Sequence, residues 1–151
     1  MREFPKYAIA SVGAVLLREG KMLLVKRGFP PGKGKWSVPG GVIEAGEEVL
    51  EAARRELLEE TNLRADPLGV LALSQVVVRE GDSVKYHYVI IDVLFDWRSI
   101  QGEERPGGDA IEVSWIPLSD IESMPDVTST TKRLASLMKG DLKYLPKECL
   151  L

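Results

Sequence analysis

The sequence has a single cysteine, Cys149. With no second thiol, an intramolecular disulfide is excluded, and so is a zinc site built on cysteine thiolates. A lone free thiol suits a reducing compartment, and no His–Asn pattern accompanies it to mark a nucleophile. Hydrophobic runs long enough to cross a bilayer as a helix are also missing. Ala8–Leu17, behind Arg2 and Lys6, has the look of a signal-peptide core, but no small-residue cleavage site follows it. Arg18-Glu19-Gly20-Lys21 follows instead, then Met22-Leu23-Leu24-Val25. Two apolar runs about a polar, Gly-containing turn predict a β-hairpin, so the expectation is a cytoplasmic protein with no membrane partner. Excess positive charge is lacking too: 20 Lys+Arg against 23 Asp+Glu leave a net −3. That argues against a broad nucleic-acid surface, while a small anionic ligand needs only a local basic pocket. Internal repeats and low-complexity tracts are absent, and 151 residues suit one domain spanning 1–151.

What is present alternates between β and helical patterns. Ala8–Leu17 and Lys21–Arg27 read as strands, Gly28–Lys35 as a Gly/Pro loop, Trp36–Val38 as a short extended piece and Pro39–Gly41 as a turn. Val49, Leu50, Ala53, Leu57 and Leu58 recur at helical spacing, which predicts a helix over Glu47–Thr61 with Glu47 and Glu48 in its first turn. Asn62 then suits the left-handed position after a helix. Leu68–Arg79 and Val84–Phe95 form a second hairpin about Glu80-Gly81-Asp82. Gln101–Asp109 is a polar loop, Ile111–Ile116 a strand ended by Pro117, and Thr130–Lys139 a closing helix capped by Ser129 and followed by Gly140 at C′. The order predicts an α/β protein with a mixed sheet and helices on its faces.

The chemistry concentrates in Gly41–Leu63, GVIEAGEEVLEAARRELLEETNL. At helical spacing Glu56, Glu59 and Glu60 share an arc of roughly 100°. Glu56 and Glu60 are a like-charge i,i+4 pair, which costs a few tenths of a kcal/mol. Glu59 and Glu60 also crowd the helix C-terminus, where the dipole disfavours each anion by about 0.3–1 kcal/mol. A merely solvated acidic face is the ordinary reading of such a helix. A divalent cation is the other: it neutralises the cluster, and all-oxygen ligation points to Mg²⁺, with Mn²⁺ fitting the same donors.

Gly41, Glu47, Arg55, Glu56, Leu57, Glu59, Glu60 and Leu63 reproduce the spacing of the Nudix signature, with Asn62 where that signature has Gly. The segment therefore resembles the Nudix hydrolases, and Trp36–Gly41 is similar to the family's lead-in. The resemblance implies a Nudix-type α/β/α sandwich with a mixed β-sheet. It also implies Mg²⁺-dependent hydrolysis of a diphosphate linkage in a nucleoside diphosphate derivative. By it, Glu56 and Glu60 are metal ligands, and Glu59 is a ligand or a water-holding base. The Gly41 carbonyl joins the metal shell, and Arg55 and Glu47 hold the cluster by ion pairing. A further acidic residue is expected from Glu103, Glu104, Asp109 or Glu112, with Glu112 favoured and Asp109 next. The family's frequent dimerisation leaves a homodimer open.

Cations just before the signature, Lys26, Arg27, Lys33 and Lys35, are candidates for the substrate phosphates, Arg27 foremost and Lys35 with it, beside Gly40 and Gly41. Lys33-Gly34-Lys35 lacks the spaced glycines and Lys-Ser/Thr pair of a P-loop. Along a strand Tyr86 and Tyr88 share one face and His87 the other; the tyrosines read as packing or as a base platform, and His87 as a less favoured general base. Trp97 and Trp115 read as core or interface residues. The chain is most similar to small ADP-ribose pyrophosphatase-like members, although the Pro that usually follows the signature there is replaced by Arg79. The implied reaction is ADP-ribose to AMP and ribose 5-phosphate. A mutator-type nucleoside triphosphate pyrophosphohydrolase is the alternative, and a non-catalytic nucleotide sensor the third reading.

Overall fold

A computed structural model describes residues 2–151. Two sheets carry the fold. The first orders five strands as β5-β1-β7-β6-β9: β1 is Ile9–Val15, β5 Gly40–Val42, β6 Arg64–Glu80, β7 Ser83–Gln101 and β9 Leu145–Pro146. It is mixed, because β1 runs parallel to β7 and antiparallel to β5. The second is antiparallel: β2 (Leu17–Arg18) and β4 (Trp36–Ser37) pair with β3 (Lys21–Arg27), as does β8 (Ala110–Pro117). Helix α1 is Val49–Thr61, α2 Leu118–Ile121 and α3 Ser129–Leu137; a 3₁₀ turn covers Lys147–Cys149. No helix among the described residues is long and apolar enough to cross a membrane.

Strand alternation builds two cores on opposite faces. Val12, Ala14, Leu23, Val93 and Phe95 pack with Ala52, Ala53 and Leu57 of α1. Their neighbours Val15, Met22, Leu24 and Leu94 turn the other way, towards Leu134, Ala135 and Met138 at α3. This is the helix–sheet–helix layering expected from the sequence.

Several local expectations shift. The first predicted strand breaks after Val15: only Leu17 and Arg18 pair back on Met22 and Lys21, across a turn with positive φ at Glu19 and Gly20. β1 itself leaves for the other sheet. Gly40 and Gly41 are not a turn but an edge strand, opposite Gly13 and Val12. A Cβ on Gly40 would overlap the Val12 carbonyl oxygen, so the close pairing requires glycine. The first helix begins at Val49 rather than Glu47. Glu47 lies in a preceding turn, where its N–H donates to the Glu44 carbonyl and its side chain accepts from the Glu44 N–H. Thr128, extended at ψ 149, takes the N-cap position expected of Ser129, and α3 stops three residues short of Gly140.

Asn62 behaves as expected. It sits at φ 66, ψ 11, its N–H donates to the Leu58 carbonyl, and its side-chain amide donates to the Glu103 carbonyl. Asn62→Gly keeps this geometry, and its stability stays within about 0.5 kcal/mol of the parent. Asn62→Ala loses about 1–2 kcal/mol to left-handed strain. Urea midpoints of the two variants check both numbers, and equal midpoints would contradict the capping role.

Candidate active site

The last two turns of α1 face edge strand β5, and the contact is made by carboxylates. Glu56 is 9% exposed and Glu60 7%. A glutamate buried to that degree must be partnered. Glu60 accepts a hydrogen bond from the Gly40 N–H at 2.8 Å. Glu56 lies against Gly41, where any Cβ would collide with its carboxylate. The two glycines of β5 therefore admit the two glutamates.

Arg55 organises the rest. Its Nε and Nη2 hold Glu47 in a fork at 2.7 and 2.9 Å, Nη1 donates to Glu56 at 2.8 Å and to Glu59 at 3.3 Å, and Nη2 also reaches the Val42 carbonyl at 3.1 Å. That matches the donor capacity of a guanidinium. The Arg55 hydrogen bond pulls the Glu47 carboxyl down to about 2. Arg55 is correspondingly held protonated, chiefly by Glu47. Arg55→Lys preserves the charge but not the fork. It is expected to lower turnover by at least about tenfold through mispositioned carboxylates, with a KM near that of the parent. Steady-state kinetics would count against the positioning role if KM rose and kcat held.

The buried carboxyls are pushed the other way. Burial raises Glu60 to about 8 against the pull of the Gly40 N–H, and the charge of Glu56 adds to the rise. Burial also raises Glu56, with Arg55 opposing it. Both groups feel the charge of Asp109, which lines the same cavity of about 220 Å³ as Arg55, Glu56, Glu59 and Glu60. Arg2 lines it as well, on an N-terminal segment tied down by Phe4 N–H to Lys85 carbonyl and by the Tyr86 hydroxyl to Glu3.

The donor set suits a hard divalent cation. It is all oxygen, and the two inner carboxylates are buried where only a cation makes their joint ionisation favourable. Among the described residues no three acidic side chains yet converge as a ready-made ligand set. Glu59, half-exposed and paired with Arg55 at 3.3 Å, and Asp109 line the same cavity as the two buried glutamates.

Beside this cavity a larger groove of about 500 Å³ runs along the α3 face of the five-stranded sheet. Arg27, Lys35, Gly40, Gly41, Glu60 and Asp109 all line it, and Glu60 and Asp109 also line the smaller cavity with Glu56 and Glu59, so the expected phosphate-binding residues adjoin the glutamate cluster. Arg27 is braced by Nε donation to the Pro31 carbonyl at 2.7 Å. Glu112 is not part of this assembly. It pairs with Lys26 at 3.4 Å across β3 and β8 and lines neither cavity. The structure thus separates the two acids: cross-strand register turns Glu112 toward Lys26, while Asp109 lines both cavities. Lys33 lines neither cavity. Glu104 is likewise engaged elsewhere, by Trp115 Nε1 at 2.7 Å and Arg18 at 3.8 Å. Trp97 is 37% exposed, with the Arg98 guanidinium 5.2 Å from its ring. Tyr86 and Tyr88 do share a face and stack with centroids 6.4 Å apart, Tyr86 buried and Tyr88 on the groove; His87 lines neither cavity.

Comparison with known proteins agrees with this geometry. The family model described as NUDIX domain matches residues 8–137. The ADP-ribose pyrophosphatase of Methanocaldococcus jannaschii is 31% identical over 128 residues, 82% of this chain and 73% of that protein. An oxidized purine nucleoside triphosphate hydrolase from Danio rerio is 31% identical over 117 residues, 74% of this chain and 65% of its own length. A MutT NUDIX hydrolase from Burkholderia pseudomallei superposes with a TM-score of 0.76 at 25% identity, covering 87% of this chain and 98% of that one. With the glutamate helix, its arginine brace and the whole sheet accounted for, the chain belongs to the Nudix family of hydrolases.

Proposed function

We propose that this hydrolase cleaves the diphosphate of ADP-ribose, releasing AMP and ribose 5-phosphate. One observation carries the reading: buried Glu60 joins the cavity that holds buried Glu56 to a groove lined by Arg27 and large enough for a nucleoside. Similarity to a protein named ADP-ribose pyrophosphatase supports the substrate. Glu56, Glu60 and the Gly41 carbonyl would hold Mg²⁺, with Glu59 or Asp109 completing the set; Mn²⁺ suits the same oxygens. The cation, when bound, neutralises phosphate oxygens and acidifies water. The protein's own part is positioning. Arg27 and Lys35 anchor the phosphates, Glu59 orients water or takes its proton, and Arg55 with Glu47 fixes the glutamates. Water adds across one P–O–P bond, so one phosphate keeps the bridging oxygen and the other gains the hydroxyl.

A second reading, release of pyrophosphate from a nucleoside triphosphate, is supported by similarity to the oxidized purine nucleoside triphosphate hydrolase. Product chromatography after incubation with ADP-ribose and a triphosphate panel, in Mg²⁺, Mn²⁺ or chelator, separates the two. AMP and ribose 5-phosphate should form from ADP-ribose only with metal. An untouched ADP-ribose beside a consumed triphosphate would replace the first reading with the second.

A further inference from the structure

The floor of the groove contains polar groups that the phosphate chemistry leaves unused. Gly13 on β1 pairs with Asp92 on β7, and Ser11 pairs with Ile90, so the four share the face opposite α1. Asp92 is 1% exposed. Its Oδ2 accepts from the Ser74 hydroxyl at 2.5 Å, while Oδ1 receives no hydrogen bond among the described residues. Oδ1 occupies the space beside Gly13: a Cβ there would stand 2.5 Å from it. Ser11 is 5% exposed, and its hydroxyl is buried with no partner among the described residues. Asp92, Ser11, Ser74, Ile90 and Tyr88 all line the groove.

A buried carboxylate with one donor and a buried hydroxyl with none are costly in a sheet that apolar residues could fill. Burial accordingly raises Asp92 to about 6, with Ser74 opposing the rise. Such groups persist where a ligand completes them. A partner for Asp92 Oδ1 must donate a hydrogen bond, and the Ser11 hydroxyl is free to accept from the same group. That excludes a phosphate, whose oxygens only accept and whose charge repels a carboxylate. The flanking Ile90 and Tyr88 offer an apolar bed for a flat ring.

We infer that Asp92 Oδ1 and the Ser11 hydroxyl form a nucleobase subsite that selects an amino-bearing base, adenine in the reaction proposed above, by accepting from its exocyclic N–H. The assignment rests on that reading for the orientation of the nucleotide, with the phosphates at Arg27 and Glu60 and the base on the sheet. It differs from it in what must be measured.

Calorimetric titration compares AMP with inosine 5′-monophosphate, in which the exocyclic amino donor becomes a carbonyl acceptor and the neighbouring N1 gains a hydrogen, so that an acceptor now faces Asp92 Oδ1 where the donor stood. The intact protein should bind AMP at least about tenfold more tightly. Asp92→Asn, whose amide presents either a donor or an acceptor, should bring the two nucleotides within about threefold, and Ser11→Ala should weaken AMP several-fold. Melting curves of both variants confirm folding. Equal binding of the two monophosphates by the intact protein, or an unchanged ratio in Asp92→Asn, overturns the subsite. So does discrimination between AMP and its 2′-deoxy form in place of discrimination between bases. Neither monophosphate contains a diphosphate, so failure of ADP-ribose hydrolysis would leave this readout standing, and the converse also holds.

Discussion

Glu60→Gln lowers kcat/KM by on the order of 10²–10³-fold, the scale of removing one preorganised electrostatic contact from a water-poor site, yet it leaves the metal-free protein at least as stable as its parent. The two halves of this expectation come from the same observation. Glu60 is 7% exposed at the end of α1, against Glu56 and within the field of Asp109. Its charge is unwelcome there without a cation. The amide retains an oxygen for the Gly40 N–H and removes the charge, so folding loses nothing. Glu56→Gln should lose activity similarly but also weaken the Arg55 contact at 2.8 Å, so its melting temperature is not expected to rise. Turnover in Mg²⁺ and melting in chelator test both variants. A Glu60→Gln enzyme with full activity would remove Glu60 from the chemistry. An activity loss matched by a lower melting temperature would make its role structural.

The cluster was legible because helical spacing is local. Periodicity alone puts Glu56, Glu59 and Glu60 on one face, and Asn62 announces the stop that the structure places at φ 66. What the sequence could not display depends on pairing over long separations. Gly40 and Gly41 look like a turn until β1, about thirty residues earlier, supplies an edge. The choice between Asp109 and Glu112 turns on which acid faces Lys26 across β3 and β8, a register that strand patterning leaves unspecified. Arg2 reaches the site because Glu3 and Phe4 are held by Tyr86 and Lys85, far along the chain. Ser11 and Asp92 sit in apolar runs where alternation marks a face but not what lies against it. Their incomplete hydrogen bonding, the clue to a ligand, exists only once the sheet is assembled.

Asp92→Asn should stabilise the protein by about 2–3 kcal/mol at neutral pH, the equivalent of a carboxyl raised from 3.8 to about 6. The direction follows from proton binding. Between those two values the folded state retains a proton that the unfolded chain has released. Stability from this group is therefore fully present below about 3.8, falls as pH rises, and is lost above about 6. Asn does not titrate and keeps an acceptor for Ser74, so it removes that fall. Other carboxyls titrate in the same range, notably Glu56 and Glu60, so the readout is the difference between the two proteins. Their urea midpoints should lie closest below about pH 4, diverge as pH rises to about 6 and hold that separation to pH 7, the variant ending above the parent. A constant difference, or a less stable variant at neutral pH, would mean that Asp92 is satisfied where it stands. A gain in stability accompanied by lost discrimination between AMP and inosine 5′-monophosphate would show why so costly a residue occupies β7: the sheet forgoes stability there to keep an acceptor ready for the base.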